Sequence, residues 1–520
     1  MSEHDTATRA SLFRRVSEGA APARYIIGGA AAVILLLTAF LSVQRNLDFA
    51  WTSVRLAPAY ALTHGYPLFS APDTPPWVMV GYGPLYPLAY LPATVASHPA
   101  TAVAVATALA HFYILGPVAL LCRTCTRRLS GGASRERLHW AFMLLFFALI
   151  AATAPSLNYV TSNVHVDAPA LGLFLLAAYF TLRADDESRT ARMLVLAGVC
   201  AGLSAACKLN LIAAGPAFLL WIAASRGIKA AARFAAAAAV AFCMIYVVAA
   251  ARDGFSAVVL NLRLPGRMPW FTFQGLDSAA YAGSSHDALD KFRTVLNLLG
   301  AYLRDYGIVA LALALLLPVI QTISAAGARM TKLFLLLAAV MLFASIASVG
   351  KSGGDVNSRA LLTLPLTLAA LTAFAALAQQ PARATVPVAY ASLAALTFVV
   401  AISAAAGFLR WSVKGSPTLV EAYDTVANEP GRWYFPFDPL AHLLGEGKFR
   451  PNMDVVHSYA AAGSPVDRAA FRSALPEDLQ HIAVPPAFAS WGIAEIRRLL
   501  PEYSRAAREL DLEHHNVMSR

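Results

Sequence analysis

Eleven mostly apolar stretches run along the chain, at about 25–43, 99–121, 139–155, 169–182, 193–206, 211–224, 234–250, 307–325, 333–349, 360–378 and 386–407. Each approaches the roughly 20 residues that cross a 30 Å hydrocarbon layer. They are continuous rather than alternating, so the pattern predicts helices whose backbone bonds close within the segment, as lipid demands. The expected architecture is a polytopic α-helical membrane protein of about 11 transmembrane helices.

The polar intervals must then lie on alternate sides. With the amino terminus cytoplasmic, segments 1–24, 122–138, 183–192, 225–233, 326–332 and 379–385 carry 18 Lys and Arg over 74 residues. The opposite loops, 44–98, 156–168, 207–210, 251–306 and 350–359, carry 11 over 138. That bias follows the positive-inside rule, and the reverse orientation would invert it. The stretch 193–224 is read as a hairpin of two short helices around Lys208, Leu209 and Asn210, which keeps Arg192 and Arg226 inside.

Three parts follow: a cytoplasmic segment 1–24, a transmembrane domain 25–407 with outer loops 44–98 and 251–306, and an extracytoplasmic domain 408–520. The last reads as a small α/β unit. Arg432–Phe435 and His481–Val484 have strand character, Pro439–Gly445 is a helix closed by glycine, and Trp491–Leu510 is a long helix.

Composition agrees and narrows the partners. The chain is 58% hydrophobic and 14% charged, with mean hydropathy +0.57, more apolar residues than one globular core uses. The net charge of +11 is accounted for by orientation, so no nucleic acid is implied. All five cysteines lie in or beside apolar runs and none in 408–520, so no disulfide framework is expected. Cys122 and Cys125 lack a second ligand pair and read as a cytoplasmic helix end. The first apolar run ends at Gln44-Arg45-Asn46 without a small-residue cleavage site, so it reads as an anchor in the inner (plasma) membrane rather than a removable signal.

The outer loops hold the candidate chemistry. Phe49–Thr63 is predicted to form an amphipathic interfacial helix stopped at Gly65, with Asp48 just before it as a helix cap or a general base. Gly81–Pro92 is predicted to lie along the interface, where Tyr82, Tyr86 and Tyr90 serve as anchors or ligands. His165 and Asp167, two apart, either share one ion or sugar or mark the start of a helix. Lys208 at the tip of a span either lines a cavity or snorkels to water. Arg263 and Arg267, near Trp270, Phe271, Phe273 and His286, and the glycine-rich Lys351–Arg359 loop place cations outside, against the orientation bias. A phosphate-bearing substrate would explain them; solvated surface charge is the alternative. No phosphate loop, nucleophile elbow, His-Glu-x-x-His or dinucleotide fingerprint is present.

In order, Asp48, Ala59–Phe69 (A-x-x-L-x-x-G-x-P-L-F), Gly81–Leu88 (G-Y-G-P-L-Y-P-L), His165–Pro169 (H-x-D-A-P), Ala197–Lys208 (A-G-x-x-A-G-L-x-x-x-x-K) and Gly350–Asn357 (G-K-x-G-G-x-x-N) resemble the GT-C superfamily of membrane glycosyltransferases. The branch is that of the dolichyl-phosphate-mannose and lipid-A aminoarabinose transferases. The resemblance implies a sugar donor on a polyprenyl phosphate, a glycan, lipid or protein acceptor, and Asp48 deprotonating the acceptor hydroxyl. It also implies Lys208, Lys351, Arg359, Arg263 and Arg267 around the donor phosphate, with His165, Tyr82 and Asn357 contacting acceptor or sugar. Many relatives carry two adjacent acidic residues where Asp48 is followed by Phe49; Asp167 is then the candidate second acid, and a divalent metal stays open. Asp48, Asp167, Lys208 and Arg359 are expected to converge on one outer-facing pocket. A transporter or lipid flippase, and a non-catalytic subunit on the same scaffold, remain the rival readings.

Overall fold

The computed structural model describes residues 35–129, 133–184, 190–268, 325–351, 356–377 and 417–503, with 29, 32–33, 270–271, 284–285, 289, 292, 296, 505–506, 512 and 515–519. Its helices in the membrane domain are α1 (35–48), α2 (Ala50–Thr63), α3 (Tyr86–Ala89), α4 (Pro99–Leu129), α5 (Ala133–Thr153), α6 (Pro155–Ser162), α7 (Asp167–Arg183), α8 (Thr190–Cys207), α9 (Ala214–Arg226), α10 (Ile228–Asp253), α11 (Phe255–Arg267), α12 (Ala325–Val349) and α13 (Val356–Leu377). Nine of the eleven expected spans coincide with a described helix. The span 386–407 and all but the last residue of 307–325 lie outside the described residues.

Pro99–Arg127, Thr190–Cys207, Leu209–Arg226, Ile228–Asp253 and Arg329–Val349 are long and apolar enough to cross a membrane, and Met143–Ala152 with Pro155–Ser162 forms a further pair bent by 102°. The bend falls where Pro155 occupies the first turn of α6, a position proline tolerates because its missing N–H had no helical partner. Large apolar side chains point outward along these helices: Leu36 on α1, Phe112 on α4, Leu220 on α9, Met244 and Val247 on α10, and Phe343 on α12 are all exposed. A surface of that kind has lipid as its solvent. The chain is a multi-pass membrane protein.

The first outer loop differs from expectation. Helix α2 stops where predicted, with Gly65 at φ +77°, a conformation that only glycine adopts cheaply. Yet α2 does not float at an interface. Ser53, Val54, Leu56, Ala57, Ala59, Tyr60 and Ala61 are all buried: the carboxy-terminal domain meets α2 at Ser53, and the 91–96 turn meets it at Tyr60, whose hydroxyl donates to the Ala93 and Ala96 carbonyls. Tyr86 and Tyr90, expected as interfacial anchors, are buried too.

That covering domain comprises α14 (Thr418–Asn428), α15 (Pro439–Glu446), α16 (Met453–Ala461), α17 (Arg468–Ser473), α18 (Ala489–Leu499) and strands β1 (Trp433–Tyr434), β2 (His481–Val484), β3 (Arg505–Ala506) and β4 (Asn516–Ser519). The sheet runs β1-β2-β4-β3. β1 and β2 are parallel with Trp433 opposite His481, and β4 is antiparallel to both β2 and β3. The predicted helix 491–510 ends at Leu499 instead, because Leu500 precedes Pro501 and the proline ring disfavours a helical residue before it.

The domain is seated on the first outer loop by both apolar and polar contacts. Trp51 meets Phe488 with ring centroids 4.8 Å apart, and Trp77 stacks on Phe471. Tyr459 donates to the Ser70 carbonyl at 2.6 Å, Asn452 to Val78 at 3.3 Å, and the Leu440 N–H to Ser53 Oγ at 3.1 Å.

Candidate functional site

Four polar side chains from three segments meet in the interior. Asp167 opens α7, where the helix dipole favours a carboxylate, and it is fully buried. Its Oδ1 accepts from Lys208 Nζ at 2.5 Å. Its Oδ2 accepts from Asn357 Nδ2 at 2.7 Å and is hydrogen-bonded to His165 Nδ1. Lys208 and His165 are themselves 5% and 3% exposed. A buried charge survives only when paired and hydrogen-bonded, and Asp167 has three partners here. Among the described residues Asn357 Oδ1 is buried without one.

Local structure explains how each group is placed. Lys208 adopts an extended conformation after the last turn of α8, φ −146° and ψ 112°. The orphan carbonyls of that turn are taken by the first outer loop: the Gly83 N–H donates to Cys207 at 3.0 Å and the Leu85 N–H to Ala206 at 3.3 Å. Gly83 is required there, since a Cβ would stand 1.8 Å from the Ala206 oxygen. The His165 backbone is fixed by Tyr90, whose hydroxyl donates to the His165 carbonyl at 2.8 Å. Asn46 holds the preceding turn through Ser162 O at 2.8 Å and Thr107 Oγ1 at 2.9 Å.

An aromatic wall adjoins this cluster. The His165 ring meets Tyr82 edge-on at 5.9 Å and Tyr159 at 5.6 Å. Burial lowers the His165 pKa below its ordinary 6.5 despite the Asp167 carboxylate beside it, so the ring is neutral at pH 7. Over the Tyr82 ring stands Arg55, its guanidinium carbon 4.6 Å from the centroid. Among the described residues no group of three or more His, Cys, Asp and Glu is arranged to hold a metal ion.

A family model described as dolichyl-phosphate-mannose-protein mannosyltransferase matches residues 137–256, the stretch carrying His165, Asp167 and Lys208. No curated protein matches the chain by sequence. The archaeal oligosaccharyltransferase AglB from Archaeoglobus fulgidus, in complex with an inhibitory peptide and a dolichol-phosphate, superposes with TM-score 0.40 at 12% identity, over 89% of this chain and 70% of that one. ArnT from Cupriavidus metallidurans bound to undecaprenyl phosphate superposes with TM-score 0.56 at 11% identity, over 94% of this chain and 97% of that one. The fold is GT-C.

Within this GT-C fold the expected residues divide into groups. Asp167, Lys208, His165, Asn357 and Tyr82 are brought together as described. Asp48 ends α1 and is half-buried. It does not cap α2, whose N-cap is Phe49 without a side-chain bond; its Oδ1 accepts instead from the Thr418 N–H of α14 at 3.4 Å. Its neighbour Phe49 meets Tyr159 at 5.9 Å, and Tyr159 meets His165. Lys351 donates to the Pro265 carbonyl at 3.1 Å, which brings it beside the exposed Arg263 and Arg267 on α11. Arg359 is half-buried in the first turns of α13, two residues past Asn357. Phe273 and His286 lie outside the described residues.

Sequence reasoning missed Arg55 and its partner Asp454, 2.7 Å apart. Arg55 stood in a stretch read as amphipathic, where one arginine is unremarkable. Its signal was a positive charge in an outer loop of low cation density.

Proposed function

We propose that this protein is a membrane glycosyltransferase that moves a sugar from a polyprenyl-phosphate-linked donor to an acceptor hydroxyl at the outer face of the membrane. The observation that carries the reading is the GT-C fold together with a hydrogen-bonded polar cluster, His165, Asp167, Lys208 and Asn357, buried beneath the first outer loop. In this reading the amino terminus is cytoplasmic and the carboxy-terminal domain lies outside.

The chemistry is an inverting displacement. Asp48 accepts the proton of the acceptor hydroxyl, whose oxygen attacks the anomeric carbon as the phosphate leaves with the bonding pair. The developing phosphate charge is met by cations. Lys351, which donates to the Pro265 carbonyl, supplies them together with Arg263, Arg267 and Arg359. Lys208 is already neutralised by Asp167 at 2.5 Å, so both residues act by fixing His165 and Asn357 more than by meeting the leaving group.

One observation favours a rival role for Asp48, its hydrogen bond from the Thr418 N–H, which would make it a cap for α14 on a non-catalytic scaffold. Asp48→Asn separates the two, because asparagine keeps an oxygen for Thr418 but no basicity. Radiolabelled sugar transfer in purified membranes should fall about 10²- to 10⁴-fold in Asp48→Asn and in Asp48→Ala, at unchanged protein level. Transfer preserved in Asp48→Asn and lost only in Asp48→Ala would reassign Asp48 as a cap.

A further inference from the structure

Arg55 has no task in the reaction above, yet it is held by an ion pair and two aromatic rings. It is 7% exposed. Its guanidinium lies between two rings, 4.9 Å from the Trp51 centroid and 4.6 Å from that of Tyr82. Nη1 donates to Asp454 at 2.7 Å, in the first turn of α16, so the anchor comes from the carboxy-terminal domain. Nε is buried without a partner among the described residues. A buried ion pair adds little to stability that a well-packed apolar side chain would not supply, so its presence calls for another reason.

The reason lies across Tyr82. The ring that Arg55 covers on one side meets His165 edge-on at 5.9 Å, with an interplanar angle of 87°. The guanidinium carbon therefore stands no further than about 10.5 Å from the His165 ring, the sum of the two distances. We propose that Arg55 is a positioning residue of the site: anchored by Asp454, it clamps the Tyr82 ring against His165 and so links seating of the carboxy-terminal domain to the geometry of the His165–Asp167 pair. The inference deepens the glycosyltransferase reading and rests on it for the reaction that is served.

The clamp also has an electrostatic signature. His165 faces Asp167 from α7, Lys208 from the end of α8 and Arg55 from α2, with Tyr159, Tyr82 and Tyr90 around the ring. Burial, Arg55 and Lys208 disfavour a protonated ring, while Asp167 favours it. At an effective dielectric constant of about 20, a unit charge about 10 Å away is worth roughly one pH unit on a titrating group.

The test is a pH titration of His165 by nitrogen-15 NMR on the full-length protein in lipid nanodiscs, with His165→Gln to assign the signal. Arg55→Met should raise the midpoint by roughly one unit, and Arg55→Lys should leave it near wild type. Asp454→Asn should lower it, because the guanidinium loses its counter-charge while keeping its place. A carboxy-terminal domain that merely lifts off would admit water and raise the midpoint in both Arg55→Met and Asp454→Asn. That common rise, or no change in Arg55→Met, overturns the proposal. If Arg55→Met does not fold, the sign of the Asp454→Asn shift decides alone. Sugar transfer is measured in parallel: a wild type that transfers nothing removes the glycosyltransferase reading, and the titration still decides the clamp.

Discussion

Replacing Lys208 with methionine tests whether the buried cluster behaves as one electrostatic unit. The side chains of Lys208 and Asp167 are 7% and 0% exposed, with their charged atoms 2.5 Å apart. Methionine keeps the length and apolar stem of lysine and leaves the Asp167 carboxylate with neutral donors only. Removing one partner of a buried pair costs about 3–5 kcal/mol, since the remaining charge stays desolvated or must take up a proton. Adding Asp167→Asn removes that charge. The Asn357 amide can then turn its unpartnered Oδ1 toward the new NH2, so the double variant should recover about 2 kcal/mol over Lys208→Met. Denaturant unfolding of the full chain in detergent micelles, followed by loss of helical circular dichroism, reads both values. The reasoning fails if Lys208→Met is as stable as wild type, or if the double variant is the less stable of the two.

Other outcomes follow from single features. Gly83→Ala should cost about 2–3 kcal/mol in the same unfolding assay, because its Cβ would stand 1.8 Å from the Ala206 oxygen, whereas Gly215→Ala, with no atom within 4 Å, should stay within about 0.5 kcal/mol of wild type. A cysteine at the exposed Ser473 should react with a membrane-impermeant maleimide on intact cells, and labelling only after lysis would invert the proposed orientation. Burial works against the Glu446 carboxylate, but hydrogen bonds from His442 and Arg450 outweigh it and hold the pKa at about 2, below the ordinary 4.5. Its contribution to stability is therefore complete above pH 4.5 and lost as pH falls from there to about 2. Hydrogen exchange around α15 should accelerate over that window in wild type and show no such step in Glu446→Gln.

What was legible in the sequence follows the strength of each local signal. The spans of the bundle announced themselves because lipid demands long apolar runs, and β2 at His481–Val484 appeared at its predicted limits. Each of His165, Asp167, Lys208, Asn357 and Tyr82 could be singled out because polar groups are conspicuous at the ends of apolar segments, but of the four groups expected to converge, Asp48, Asp167, Lys208 and Arg359, the structure pairs Asp167 with Lys208. Helix α2 was read as half-exposed since its sequence carries no mark of the domain that covers it; only tertiary contacts made some 390 residues later, such as Ser53 with Leu440, decide that. Asp48 was given the right kind of alternative, a cap, but for the wrong helix, because the N–H it meets belongs to Thr418. The Arg55–Asp454 pair had no local signature at all.

The burial of α2 has a consequence for how the protein is made. Arg55 waits for a partner 399 residues further along the chain, and Asp48 for one 370 residues away. At a synthesis rate of about 5–20 residues per second, the gap is roughly 20 to 80 seconds. During it the rest of the bundle is synthesised and inserted, while the side chains of α2 that meet the carboxy-terminal domain, Trp51, Ser53 and Arg55, have nothing over them. The ribosome thus completes the membrane scaffold early and the functional outer surface last, and a nascent chain paused before residue 417 holds an assembled bundle with an unroofed site.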